Sequence, residues 1–459
     1  MSPDITETTS GQILEWTAKN DVAAFRAQCE EMHPAAVGEL LAELEPEQMW
    51  AALAMLEAAP RAEIFSHLPE ESQIEIIERR KRSELAELFT ELPADDRAHI
   101  FRRLPDDCQE RVMPVLARAE REDIRRLASY EEGTAGSVMT SDYATIPPDI
   151  TAEQAVERLR QVAPDKETVY TAFVVDADRR LLGSVSLYDL IVARRNRLVR
   201  DLISGELIAV HVNDDQEEAA RMIEKYDLIA LPVVNDDMAL MGIITCDDAI
   251  DVLSQEHNED LEKLMAIAGD HEDRVYLSDS PWRHFLNRAG WVAALGVVGI
   301  LSGTVVQHFE FLTSKFTVLT AFMPMLAAAG GNTGSQTATL VIRGLGTEEL
   351  TARDLPRILA KELAVSLMTS LVLAAIVFCG VLVFGRAPLA GPCIQKLAGI
   401  IALAIGIQVL SATLVGAILP VAATRMKLDP AVVASPALTT IVDLTGLLMY
   451  FSLAQALLL

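Results

Sequence analysis

A single carboxylate, Asp443, lies in a run from Pro430 to Leu459 that contains no other charged residue. An ionised carboxylate is expensive in hydrocarbon, so such a residue faces a water-filled path or a partner rather than lipid. No basic side chain on this segment neutralises it. A cation arriving from solution would. Upstream, the apolar stretch 316–342 carries a polar insert in which Gly330, Gly331 and Gly334 alternate with Asn332, Gln336 and the hydroxyls of Thr333, Ser335, Thr337 and Thr339. Polar backbone and side chains at membrane depth are tolerated where they are buried in protein or line a water-filled cavity. Asn332 and Gln336 with the three glycines are therefore candidates to line a pore. A third group sits in residues 247–280, where Asp248, Asp251, Glu256, Glu259 and Asp260 crowd about four helical turns. Like charges at i,i+3 and i,i+4 oppose one another on a helix, and a divalent cation would relieve the repulsion.

These groups must be positioned by elements of contrasting composition. The chain has 459 residues and a formal net charge of −27. The first 280 residues carry about −31 and the last 179 about +4, so an acidic, water-compatible front is joined to an apolar back. That acidity excludes nucleic acid as a partner, because phosphates would be repelled, and favours cations. The five cysteines are scattered without a Cys-x-x-Cys pair, which fits neither a disulfide framework nor a zinc site and places the front half in a reducing cytosol. The polar, acidic N-terminus lacks the features of a cleaved signal peptide.

Charge-free windows at 289–309, 316–342, 363–385, 397–424 and 430–459, with Asp443 the exception in the last, are each long enough for a membrane helix. If the front half is cytoplasmic, eight basic residues fall in inside loops and three in outside loops, as the positive-inside rule requires. The C-terminus then lies outside, in an inner or plasma membrane. Gly296, Gly299 and Gly303 in the first window read as helix-packing positions.

Residues 1–131 show helical periodicity with a recurring phrase. Leu44, Leu68, Leu92 and Leu104 each open a Leu-(Glu/Pro)-x-acid-x pattern, as in Leu-Pro-Glu-Glu-Ser and Leu-Pro-Ala-Asp-Asp. Proline at a helix start with acids in the first turn is sound N-terminal chemistry, so a superhelical array of short helices is expected. Residues 132–255 alternate strands and helices and repeat internally. Ala172-Phe-Val-Val-Asp with Leu182-Gly-Ser-Val-Ser matches Leu231-Pro-Val-Val-Asn with Met241-Gly-Ile-Ile-Thr, the first copy carrying about five extra residues around Ala163-Pro-Asp-Lys-Glu. This resembles a tandem pair of cystathionine-β-synthase (CBS) domains, here 132–198 and 199–255, a module that commonly binds ligands or dimerises.

The whole pattern resembles the MgtE family of magnesium transporters. Its most specific parts are Gly330-Gly-Asn-Thr-Gly-Ser-Gln-Thr-Ala-Thr-Leu, Leu428-Asp-Pro-Ala-Val-Val and Asp443-Leu-Thr-Gly-Leu-Leu. The resemblance implies a multidomain fold: a superhelical α-helical N-terminal domain, an α/β CBS pair, a connecting plug helix at 256–280 and a five-helix transmembrane domain at 281–459. It implies a homodimer in the bilayer with the pore at its axis, Asp443 holding the permeating Mg2+ and Asp429 near the cytoplasmic mouth. It implies Mg2+ sensing by Glu217, Asp227, Asp248, Asp251, Glu256, Glu259 and Asp260 with Asp95 or Asp96, and a possible adenine nucleotide at the CBS pair. Family members can carry Asn where this chain has Ser435, a pore-lining position. The expected activity is non-enzymatic: Mg2+ import down its electrochemical gradient, shut off by cytosolic Mg2+.

The chemistry agrees. Mg2+ prefers octahedral oxygen shells and keeps several waters, and the spans offer no His, Cys or Met cluster for a softer metal. A proton-coupled exporter using Asp443 as proton carrier, or a membrane-anchored CBS-regulated signalling protein, are the alternatives. No phosphate-binding Gly-x-x-x-x-Gly-Lys loop or hydrolase motif supports an ATP-driven pump or an enzyme.

Overall fold

The computed structural model describes residues 9–203, 205, 207–267, 280–347, 349–384, 393–430 and 436–459. They form two compact units, one built from residues up to Glu256 and the other from residues beginning at His257.

The first unit opens with ten short helices: α1 (Ser10–Lys19), α2 (Val22–Glu31), α3 (Pro34–Ala42), α4 (Pro46–Leu53), α5 (Ala58–Ser66), α6 (Glu70–Glu78), α7 (Arg82–Glu91), α8 (Ala94–Arg103), α9 (Asp106–Val112) and α10 (Arg118–Leu127). The repeated phrase explains the spacing. Pro46 is the first residue of α4, and Pro69, Pro93 and Pro105 are the N-caps of α6, α8 and α9. Proline lacks the N–H that would otherwise be orphaned there, and the acids that follow meet the positive end of the helix dipole. The leucine before each proline is buried. Every phrase thus ends one helix, seats a core side chain and starts the next. Odd and even helices pack in two rows, α1 on α3, α3 on α5 and α5 on α7, with α4 on α6 and α6 on α8. The shared core includes Phe25, Leu41, Leu53, Phe65, Phe89 and Val112.

Two three-stranded sheets follow, β1 (Tyr143–Ile146), β2 (Thr168–Val175) and β3 (Leu181–Ser186), then β4 (Val210–His211), β5 (Ala230–Val234) and β6 (Leu240–Thr245). Each pairs its first two strands parallel and its last two antiparallel. The parallel pairs need crossover helices, supplied by α12 (Ala152–Val162) and α14 (Gln216–Tyr226), with α11 (Ala135–Val138) before the first sheet and α13 (Leu187–Val192) after it. The extra residues of the first copy form a short 3-10 turn at Ala163–Asp165 and lengthen β2. The β2–β3 and β5–β6 turns match: Asp176 accepts the N–H groups of Asp178 and Arg180, and Asn235 those of Asp237 and Ala239. The two turns also bond each other, Leu181 N–H to Met238 C=O and Leu240 N–H to Arg179 C=O, both near 3 Å. Tyr143, Phe173, Leu181, Val234, Leu240 and Ile243 fill the core between the repeats.

Helix α15 (Cys246–Leu264) leaves β6 directly, so the acidic segment is helical from Cys246 to Leu264; 268–279 lie outside the described residues.

The second unit contains α16 (Pro281–His308), α17 (Glu310–Lys315), α18 (Val318–Gly346), α19 (Leu355–Phe384), α20 (Cys393–Arg425) and α21 (Pro436–Leu458). Pro281–His308, Ala352–Val383, Ile394–Arg425 and Ala437–Leu458 are long and apolar enough to cross a bilayer. Helix α18, 29 residues long, is not among them, so among the described residues four helices qualify where the sequence led to five spans. The core runs between α18, α19, α20 and α21, with Leu319, Val377, Val381, Ile401, Ile405, Tyr450 and Phe451 buried together. Among the described residues, a methyl group added at Gly296, Gly299 or Gly303 would meet nothing within 4 Å, so none of the three makes a close helix contact there.

Candidate cation sites

The apolar unit holds Asp443 at the junction of α18, α20 and α21. Backbone contact builds that junction. A side chain on Gly416 would overlap the Gly334 carbonyl, and one on Gly334 would approach the Ala412 carbonyl at 3.2 Å, so α18 and α20 touch through their main chains. Gln408 is buried between Gly330 and Gly446 and donates to the Val442 carbonyl at 2.9 Å. This fixes α21 one residue before Asp443. A methyl group at Gly331 would contact Thr439 at 3.0 Å and lie 3.9 Å from Asp443 Oδ1. That oxygen is buried and has no hydrogen-bond partner among the described residues.

The candidate lining residues divide by face. Gly330, Gly331 and Gly334 are buried, whereas Asn332 and Gln336 are exposed, one turn apart. Thr339 and Arg343 continue the exposed stripe. A helix at membrane depth does not present such a stripe to lipid. Thr337 takes a different course and donates to Glu362 of α19 at 3.0 Å. Ser435 lies outside the described residues.

A second group joins the end of α15 to the α20–α21 connection. Lys263 Nζ bridges Glu259 Oε1 at 2.6 Å and Asp429 Oδ2 at 2.9 Å. Burial works against the ammonium, yet the hydrogen bonds it donates to Glu259 and Asp429 hold its pKa above the ordinary lysine value. Asp260 stands alongside, its carboxyl pushed up by burial and then by the charge of Asp429. Sequence reasoning named Glu259, Asp260 and Asp429 and missed Lys263, a cation already supplied by the chain.

The third group belongs to the first unit. Asp95 and Asp96 occupy the first turn of α8, and Asp247 and Asp248 the first turn of α15. Asp248 accepts from the Thr245 hydroxyl at 2.6 Å. Burial raises the Asp95 carboxyl, followed by the charges of Asp96 and Glu167. Burial also raises Asp96, followed by Asp248, Glu167, Asp251 and Asp247. Asp248 is raised by burial and then by Asp95. Asp95 Oδ1 is buried without a partner. Glu167 and Asp247 were not foreseen as participants; the only sign of Glu167 was its place in the five-residue insertion. Glu217 and Asp227 stand elsewhere. Glu217 pairs with Arg221, and Asp227 is the exposed left-handed C-cap at the far end of α14. Glu256 accepts from Gln216 at 2.7 Å.

Among the described residues no three His, Cys, Asp or Glu side chains converge tightly enough to hold an ion unaided. What exists is repulsion with orphaned oxygens. That suits a hard divalent cation that retains much of its water and bridges carboxylates through it.

An acidic helical domain, a CBS pair and an apolar helical bundle together define a membrane transporter with a large polar front half. Matching family descriptions follow the chain in that order: an MgtE intracellular N domain at 32–133, CBS domains at 135–196 and 199–255, and a divalent cation transporter region of MgtE at 323–453. The chain is similar to the magnesium transporter MgtE of Thermus thermophilus, with 37% identity over 97% of this chain and 98% of that one. It is 32% identical to the Bacillus subtilis magnesium transporter MgtE over 74% of this chain and 72% of the relative. The cytosolic domain of the Mg2+ channel MgtE in complex with ATP superimposes with a TM-score of 0.50 at 36% identity, covering 53% of this chain and 99% of that structure. The soluble part of a magnesium transporter gives 0.51 at 30%, covering 54% and 97%. The chain belongs to the MgtE family.

Proposed function

We propose that the protein is a homodimeric Mg2+ channel that imports the ion down its electrochemical gradient and is closed by cytosolic Mg2+. The front half and both loops rich in basic residues lie in the cytoplasm and the C-terminus outside. The observation that carries the reading is the buried Asp443 Oδ1 of α21, unpartnered among the described residues, behind Gly331 of α18, the helix whose Asn332–Gln336 face is exposed. A second copy across a two-fold axis would turn that face into a shared aqueous path with two carboxylates. The driving force needs no ATP: a divalent ion gains roughly 4.6 kcal/mol per 100 mV of inside-negative potential. Closure follows from the acids. Without Mg2+, the carboxylates of Asp95, Asp96, Asp248 and Asp251 repel, as do Asp260 and Asp429. Bound ions screen both and favour the conformation that brings them together, a population shift that requires tighter binding to the closed form. The CBS pair takes an adenine nucleotide, with exposed Tyr170 and Tyr188 as stacking surfaces beside the Ser186–Asp189 hydroxyl–carboxylate pair.

Asp443→Asn in proteoliposomes tests the pore. Mg2+ influx under an inside-negative potential is expected to fall at least about tenfold, the scale of one lost charged ligand. Undiminished, Mg2+-selective flux overturns the assignment. Flux that follows a pH gradient at fixed voltage would instead support proton coupling.

A further inference from the structure

An open cleft of about 570 Å3 separates the helical domain from the first CBS repeat. Its walls carry four basic side chains, Arg97 of α8, Arg126 of α10, and Lys166 and Arg179 of the repeat, with the Tyr143 ring between them. Three acids are also present, and each is engaged. Asp123 accepts from Arg126 and from the Ser141 hydroxyl, both at 2.6 Å. Asp142 faces Lys166 at 3.6 Å. Glu120 accepts the Ala117 N–H at 2.9 Å and so caps α10. Arg179 donates at 2.6 Å to the Tyr143 hydroxyl, a neutral partner.

Arg97 has no counterpart. Its residue is 7% exposed and its Nε is buried without an acceptor, and among the described residues no carboxylate forms an ion pair with it. A buried guanidinium left uncompensated is costly. An anion supplied from outside the chain would compensate it. In a front half that carries about −31, a cleft holding two guanidinium groups that have no carboxylate partner among the described residues runs against the general field.

We propose that this cleft binds a small phosphate-bearing anion, with Arg97 and Arg179 as the phosphoryl clamps. The planar fork of arginine matches phosphate oxygens in pairs, and Lys166 and the Tyr143 hydroxyl stand in the same wall. The volume is that of a small-molecule site, which typically runs from about 300 to 1,000 Å3. Neither Ser186, Asp189, Tyr170 nor Tyr188 lines it, so it is separate from the nucleotide surface proposed above. Its occupant would clamp α8 and α10 to the first repeat.

Calorimetric titration of the full-length protein in lipid nanodiscs with inorganic phosphate, and separately with AMP, tests this. The expected result is saturable binding of phosphate, of AMP, or of both, weakened at least about tenfold in Arg97→Gln and in Arg179→Gln, the scale of one charged hydrogen bond. Phosphate binding as tight as AMP binding identifies a free anion; AMP binding much tighter identifies a phosphate carried on a larger molecule. Arg179 sits in an exposed turn, so Arg179→Gln remains decisive if Arg97→Gln fails to fold. The proposal is overturned if neither probe binds up to roughly 10 mM, the weak end of specific affinity, or if the variant that folds binds both probes as wild type does. AMP binding that survives both substitutions, with no phosphate binding, overturns it equally.

Discussion

Lys263 changes the meaning of the acids around it. Three carboxylates near one another would wait for a cation, but here an ammonium already bridges Glu259 and Asp429. Replacing it with methionine keeps the stem and deletes the charge. Lys263→Met is expected to raise flux at low cytosolic Mg2+, because the tether from α15 to Asp429 is gone. It is also expected to lower the Mg2+ concentration that closes the channel, because the freed acids then bind the ion more tightly. Concentration-dependent flux in proteoliposomes reads both, and a variant indistinguishable from wild type would refute the role. At this scale, the sequence revealed charges that were anomalous by position. Asp443 stood out because thirty residues around it carry no other charge. Lys263, Glu167 and Arg97 did not, because each is an ordinary charge in a charged segment until tertiary structure sets its neighbours.

At the level of elements, the α18–α20 crossing depends on two absent side chains. Gly416→Val would drive a Cβ into the Gly334 carbonyl, which is backbone and cannot rotate away. Overpacking of this kind costs about 1–3 kcal/mol, so the variant should lose several degrees of thermal stability in detergent. Gly399→Ala, where a methyl group meets nothing within 4 Å, should change stability little or raise it slightly. Equal melting temperatures would show that the helices do not rely on this contact. The short helices of the front half were legible because proline, acid and leucine recur at fixed spacing and each has one structural use. The start of α15 was less so. The acidic segment was placed with the connector, yet its helix begins at Cys246, immediately after β6, and no glycine or proline marks that change from strand to helix. The two faces of α18 were also hidden: glycine, asparagine and glutamine read as one polar run, and only the 3.6-residue turn separates them into packing and exposed sets.

For the molecule as a whole, the acids of the first unit make stability depend on protons. Burial and mutual repulsion raise the carboxyls of Asp95, Asp96, Asp248 and Glu167 above the ordinary range. A group raised on folding stabilises the fold at low pH, and that contribution is lost as pH climbs through the raised value. The melting temperature in divalent-free buffer is therefore expected to fall as pH rises from about 5 to about 8, over the span of the raised carboxyls. Millimolar Mg2+ should flatten the slope, since the ion then does what the proton did. A slope unaffected by Mg2+ would separate the cluster from divalent binding.

The exposed stripe on α18 also bears on how the chain is made. A helix with Asn332 and Gln336 on one face partitions poorly into hydrocarbon by itself, and its closest backbone partner, Gly416, is encoded about 80 residues after Gly334. At a synthesis rate of about 5–20 residues per second, that partner emerges roughly 4–16 s later. During this interval the glycine face of α18 has no mate, so the main-chain contact between α18 and α20 completes only after the α20 segment has been made.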